Sequence, residues 1–174
     1  MAPGNIREET IPNHQIHTLL FDLDNTLYPK SCGLAAQVTR RITQYMSSKL
    51  NLPEEEVDKI RGHYYKTYGL TLKGLMMNYQ CFDATLEYLE MLDYSKPHPQ
   101  SYQMALKKAG TDDANGVVFF DDVVENLEGA KKAGMITVLV GGTSDSPAVD
   151  YCIQEIHDLV KIFPQLISLP QIQS

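Results

Sequence analysis

Cysteine is scarce here: Cys32, Cys81 and Cys152 are odd in number, scattered, and without a CxxC spacing. Neither a disulfide framework nor a zinc site is expected from them. They read as small buried or surface thiols in a reducing, cytosol-like compartment. Positive charge is also short, with a formal net charge of −7, so no basic footprint marks a nucleic-acid partner. No apolar run approaches the roughly 18 residues of a membrane span, so no membrane partner is expected either. The opening stretch MAPGNIREETIPNHQ is polar and lacks the apolar core of a secretory signal. Repeats, low-complexity tracts and linkers are missing as well. What is present suits a soluble globular domain: 174 residues, 43% hydrophobic and 21% charged, enough for one domain with a real core.

Residues before His14 read as a loose polar lead-in. Gln15 to Phe21 (QIHTLLF) is a short apolar run that ends at an acidic turn, the pattern of a buried parallel strand. Gly33 to Leu50 is expected to be helical, with Leu34, Val38, Ile42 and Tyr45 to Met46 spaced by three or four. Asn51-Leu52-Pro53-Glu54 stops that helix and starts another. Pro53 suits a first helical position, the glutamates suit the positive end of the dipole, and Gly69 closes the helix after Tyr68. Thr71 to Gln80 begins a third helix, and Cys81 to Met91 reads equally as strand or helix. Pro99 to Ala109 is helical and ends at Gly110. Val117 to Phe120 (VVFF) is a second buried strand ending in acid. A helix from Val123 to Ala133 closes at Gly134, Ile136 to Val140 (ITVLV) is a third strand, and Asp158 to Ile167 is a last helix.

Strands alternating with helices imply an α/β fold, a three-layer doubly wound (Rossmann-like) parallel sheet. In such sheets ligands sit at the carboxyl ends of the strands. Two acidic pairs fall at that address: Asp22 and Asp24 after the first strand, Asp121 and Asp122 after the second. Four carboxylates in one crevice repel unless a divalent cation lies among them, and all-oxygen ligation points to Mg²⁺. An EF-hand calcium loop starting at Asp22 fails, because its sixth position is Leu27 rather than Gly and its twelfth is Gly33 rather than Glu. A carboxylate beside Mg²⁺ can attack phosphorus. A second carboxyl two residues on can protonate the leaving oxygen and then activate water. Lys96, in Ser95-Lys96-Pro97-His98-Pro99, is the candidate for offsetting the charge.

Each of these signals has a plainer reading. A lone DxDxT on a surface turn usually carries no chemistry, and an isolated Lys-Pro is weak. Asp121 and Asp122 could simply cap the helix that begins near Val123. Their order along the chain, each acidic pair behind an apolar strand, favours the functional reading. The histidines show no ligand spacing, so His98 and His157 are expected on the surface or in the core. Tyr64, Tyr65 and Tyr68 are expected to pack helices rather than to stack on a base.

LLFDLDNTLYP resembles the first motif of the haloacid dehalogenase superfamily, SKPHPQSY its third, and VVFFDDVVENLEGAKKAGMITVLVG its fourth with the following helix and strand. The DNTLYP turn, the segment GLTLKGLMMNYQ and the FFDD-x-x-x-N element are most similar to the pyrimidine 5′-nucleotidase-like proteins of fungi and plants. The resemblance runs from Ile16 to Leu166. It implies Asp22 as nucleophile, Asp24 as general acid/base and Lys96 as the charge-balancing lysine, with Asn25 and Lys96 on the substrate. It implies Mg²⁺ held by the Asp22 side chain, the Asp24 main-chain carbonyl and Asp121, with Asp122 in support and Asn126 bracing the loop. The implied substrate is a small phosphate monoester, nucleoside monophosphates included. Dehalogenase chemistry is disfavoured, since it uses neither the second aspartate nor a metal. The expected compartment is the cytoplasm, with the nucleus left open; the oligomeric state is not specified.

Two departures accompany the resemblance. Val123 stands where the subgroup usually has Ser, which touches only the hydrogen bonding around the ligands. More seriously, the second motif, a strand ending in Thr or Ser that grips the phosphoryl group, is missing: Asn78-Tyr79-Gln80 runs straight into Cys81-Phe82-Asp83. Asp22 and Lys96 stand too close in sequence for a full helical cap plus a βα unit, since a βαβ unit alone takes roughly 30 residues. The expected organisation is therefore an incomplete α/β core over 14–30 and 81–174, with a reduced helical cap over 31–80 inserted after the first strand. Either Cys81 to Leu89 replaces the lost strand beside the first one, or that region stays loose and aggregation-prone. Two functions stay open: a Mg²⁺-dependent phosphatase, and a catalytically impaired or non-catalytic shortened isoform of one.

Overall fold

A computed structural model of the chain describes residues 16–79 and 94–164. They belong to two compact units, one of Met1–Pro29 with Tyr102–Ser174, the other of Lys30–Ser101.

The first unit is built on a parallel sheet of four strands among the described residues, in the order β1 (Thr18–Phe21), β2 (Val117–Asp121), β3 (Ile136–Val140), β4 (Tyr151–Ile153). Thr18 to Phe21 lie opposite Val117 to Phe120, and Val118 to Asp121 opposite Ile136 to Leu139. Every residue of β2 is buried, which explains its unbroken apolar run: a strand covered on both faces has no polar side to show. Val117 and Phe119 face one layer, with Tyr102 of α4 (Pro99–Lys108) and Leu127 and Ala130 of α5 (Val124–Lys132). Val118 and Phe120 face the other, with Val138, Val140, Ile153 and Phe163 and, at its margin, Leu159 and Ile162 of α6 (Leu159–Ile162). Helices thus cover both sides of a parallel sheet, the three-layer α/β architecture its alternating pattern implies.

Several expectations shift. β1 begins at Thr18, and Gln15 lies outside the described residues. β4 has no counterpart in the sequence reading, because three residues are too few to show a period. It is held by tertiary bonds instead. The Gly141 N–H donates to the Ile153 carbonyl at 2.9 Å, and the Asp150 N–H to the Thr137 carbonyl at 3.1 Å. The Asp150 carboxylate accepts from the Thr137 N–H at 3.0 Å and from Lys131 Nζ at 2.6 Å. The last helix is shorter than expected, a 3₁₀ turn at Ile156–Asp158 followed by α6, which stops at Phe163. The Asp158 carboxylate accepts from the Gln154 and Glu155 N–H groups at 3.2 and 3.3 Å and so starts that turn. Residues 165–167 of the expected helix lie outside the described ones.

The second unit holds α1 (Leu34–Leu50), α2 (Glu54–Tyr68) and α3 (Thr71–Asn78), which join around buried Met46, Val57 and Leu75. The row Leu34, Val38, Ile42, Tyr45 does not form the buried face of α1: all four are 42–55% exposed. Met46, which closes the expected row, is buried together with Thr43, whose hydroxyl donates to Asp58 Oδ1 at 2.8 Å. Helical spacing fixes which residues share a stripe, but of that stripe Met46 alone is buried, where α2 and α3 bring Val57 and Leu75. Pro53 is the residue before α2 rather than its first, and Gly69 ends it at φ 77°. Gly74 of α3 lies so close to Tyr64 that a Cβ there would stand 2.3 Å from Cγ of the ring. Tyr64 therefore packs helices, as expected, whereas Tyr65 is 61% exposed. Gln80 and the ambiguous segment Cys81 to Met91 lie outside the described residues.

Candidate functional site

The register of β1 on β2 creates the site. Phe21 lies opposite Phe120, and the ladder runs one bond further, from the Asp22 N–H to the Phe120 carbonyl at 2.9 Å. Asp22 thereby arrives beside the end of β2, where Asp121 is the last strand residue and Asp122 follows. One carboxylate oxygen from each of Asp22, Asp121 and Asp122 lies within 4.8 Å of the others. The acidic groups after two separate strands therefore converge at the carboxyl edge of the sheet.

Asp121 is fully buried and its carboxylate is tightly held. The Val123 N–H donates to Oδ1 at 2.9 Å, and Asn126 Nδ2 donates to Oδ1 at 3.1 Å and to Oδ2 at 3.0 Å. The capping reading and the ligand reading of this acid are therefore compatible. One oxygen helps start α5, while the helix N-terminus favours negative charge just ahead of it. If ionised together, carboxylates this close repel by about 3.5 kcal/mol or more per pair at an effective dielectric of about 20. A hard divalent cation relieves that repulsion, and an all-oxygen donor set of two or three carboxylates suits Mg²⁺. The residues present fit the ion.

Asp24 lies outside this group. It is exposed on the turn after β1, and its carboxylate accepts from the Tyr28 hydroxyl. The turn is closed by the Leu27 N–H to the Leu23 carbonyl at 3.1 Å, and Asn25 takes φ 61°, a conformation asparagine tolerates better than most residues. Thr26 is 2% exposed, and its hydroxyl has no hydrogen-bond partner among the described residues. Lys96 belongs to the second unit, half-buried in a turn where the His98 N–H donates to the Ser95 carbonyl at 2.9 Å. His98 and His157 are exposed, and Cys32 and Cys152 carry free thiols.

Tyr102 was invisible as a site residue from sequence. It is 2% exposed, packs edge-on to Phe119 with ring centroids 5.9 Å apart, and donates its hydroxyl to the Asn126 carbonyl at 2.6 Å. Burial, and then the Asp121 carboxylate, push its phenol well above the ordinary tyrosine range. A tyrosine at helical spacing looks like core, and nothing in the sequence marks its hydroxyl.

Among the described residues no helix is long and apolar enough to cross a membrane. The family model described as HAD-hydrolase-like matches residues 93–161. The chain is similar to Phosphate metabolism protein 8 of Saccharomyces cerevisiae, 33% identical over 86 residues, which is 49% of this chain and 26% of that protein. The chain thus spans about a quarter of the length of this curated relative. Among solved structures it is similar to a 2-haloacid dehalogenase from Pseudomonas syringae pv. Tomato DC3000, with 16% identity and a TM-score of 0.55 over 87% of this chain and 99% of that one, a likeness of fold alone. Convergent acids at the ends of two parallel strands stand in a fold shared with that structure, and over residues 93–161 the chain is similar to the HAD-hydrolase-like family.

Proposed function

We propose that the protein is a Mg²⁺-dependent phosphatase of small phosphate monoesters, nucleoside monophosphates among them, working through an aspartyl-phosphate intermediate. The observation that carries this reading is the convergence of Asp22, Asp121 and Asp122 within 4.8 Å at the ends of β1 and β2. Asp22, the Asp24 main-chain carbonyl, Asp121 and Asp122 would hold the ion. When bound, Mg²⁺ supplies charge neutralisation for the carboxylates and the phosphate. The Asp22 carboxylate attacks phosphorus and the ester P–O bond breaks, while Asp24 gives its proton to the leaving oxygen. Asp24 then takes a proton from the water that hydrolyses the aspartyl phosphate. Lys96 offsets charge on the nucleophile and the phosphate, and Asn25 and Lys96 contact the substrate. In this reading 14–30 and 81–174 form the core and 31–80 a reduced cap, and the protein acts in the cytoplasm.

A second reading, a shortened form without turnover, draws on the missing second motif and on β1. Among the described residues β1 pairs on one edge only, and its residues are less buried than those of β2. Phosphate release from an aryl phosphate with and without Mg²⁺ decides between the two. The phosphatase reading expects Mg²⁺-dependent release that falls to background in Asp22→Asn; activity that persists in that variant overturns it. A well-folded chain with no release under any condition favours the second reading.

A further inference from the structure

We propose that Tyr102 is a positioning residue for the buried carboxylate Asp121, acting through Asn126. The proposal rests on the metal reading of Asp121 given above. Three links make the chain: the Tyr102 hydroxyl donates to the Asn126 carbonyl at 2.6 Å, Asn126 lies in the first turn of α5, and its side-chain amide spans both Asp121 oxygens at 3.1 and 3.0 Å. A carbonyl oxygen has two lone pairs, so it can accept the phenol in addition to a helical N–H. The phenol fixes the first turn of α5 against α4, and that turn fixes the amide that orients the acid.

Packing alone does not explain a tyrosine here. Its ring edge meets Phe119, which a phenylalanine would do as well, and burying a hydroxyl is unfavourable unless it is bonded. The facing helix is also shaped to admit the hydroxyl. Gly129 lies inside α5, where glycine costs about 1 kcal/mol relative to alanine. A Cβ at that position would stand 2.6 Å from the Tyr102 oxygen and 2.6 Å from a ring carbon. The bare backbone of Gly129 is what lets the phenol reach Asn126. Because burial holds the phenol protonated, it remains a donor throughout the neutral range.

The test is Mn²⁺ binding to the full chain, read from the free-Mn²⁺ electron paramagnetic resonance signal, together with far-ultraviolet circular dichroism of each variant. Removing an outer partner of a metal ligand typically weakens binding by about 10–100-fold. Tyr102→Phe, which keeps the ring, is expected at the lower end, about tenfold weaker than wild type with the fold unchanged. Gly129→Ala keeps the hydroxyl but denies it its place, and is expected to weaken Mn²⁺ binding in the same direction. Asp121→Asn is expected to lose binding. Wild-type affinity in Tyr102→Phe, with or without a lower melting midpoint, overturns the proposal while Asp121→Asn still upholds the metal reading. Equal binding by wild type and Asp121→Asn overturns the metal reading and this proposal with it.

Discussion

The side-chain amide of Asn126 donates to both carboxylate oxygens of Asp121, at 3.1 and 3.0 Å, across a single turn between β2 and α5. Asp121 is fully buried, so these bonds replace water that the carboxylate has lost. Hydrogen bonds to a charged group contribute about 1.5–3 kcal/mol. Asn126→Ala is therefore expected to lower unfolding stability by about that amount. Urea denaturation followed by circular dichroism checks it, and a change under about 0.5 kcal/mol, the usual size for an indifferent surface site, would refute it.

Tyr102 carries a pH dependence whose sign follows from burial. Its phenol is held protonated in the folded chain above the ordinary tyrosine value, while the unfolded chain ionises near 10. The unfolded state thus releases a proton first. The contribution is fully present below pH 10 and is lost as pH rises beyond it toward the folded value. Melting midpoints between pH 9 and about 11.5 should fall more steeply for wild type than for Tyr102→Phe. Parallel curves would mean that the phenol ionises alike in both states.

Phe120 joins the two ends of one core layer. It is fully buried, stacks on Phe21 with ring centroids 4.6 Å apart and an interplanar angle of 17°, and meets Phe163 at 6.1 Å. Truncating such a residue costs about 3–5 kcal/mol. Domains of this kind are stable by about 5–15 kcal/mol, so Phe120→Ala should consume a large share of the total. A loss below about 1 kcal/mol in denaturant titration would show that β1 and the Phe163 segment do not meet on Phe120.

Gly74 tests whether close packing outweighs helix propensity in the second unit. Alanine inside a helix normally stabilises by about 1 kcal/mol relative to glycine. Here its Cβ would sit 2.3 Å from Cγ and 2.5 Å from Cβ of Tyr64, atoms near the root of that side chain that cannot swing away cheaply. Overpacking of this sort costs about 1–3 kcal/mol. Gly74→Ala should accordingly lower the melting midpoint, and a rise would show that α2 and α3 lie further apart.

Much of the fold is legible in the residues themselves. VVFF and ITVLV have no polar side, which is possible only for strands covered on both faces, and both form where the sequence places them. The acids after QIHTLLF and VVFF mark the carboxyl edge of a parallel sheet, where such folds bind ligands. Elsewhere the one-dimensional signal is too weak. β4 spans three residues and depends on Asp150 meeting Thr137 and Lys131, contacts between distant segments. On α1 the period is right, but Met46 alone of the expected stripe is buried, because that is where α2 and α3 bring Val57 and Leu75.

The acidic pairs themselves, Asp22 with Asp24 and Asp121 with Asp122, were set by sequence, because a strand that ends in acid at the edge of a parallel sheet needs no further information to be placed there. Tertiary structure brought the Asp22 carboxylate to Asp121 and Asp122, the set that the resemblance implies, while the Asp24 carboxylate turns to Tyr28 within its own turn. It also enlisted Tyr102 behind Asn126, the residue that the resemblance already sets beside this loop. The physical reason is range: turn chemistry acts over a few residues, as between Asp24 and Tyr28, whereas strand register brings Asp22 to Asp121 and helix packing brings Tyr102 to Asn126.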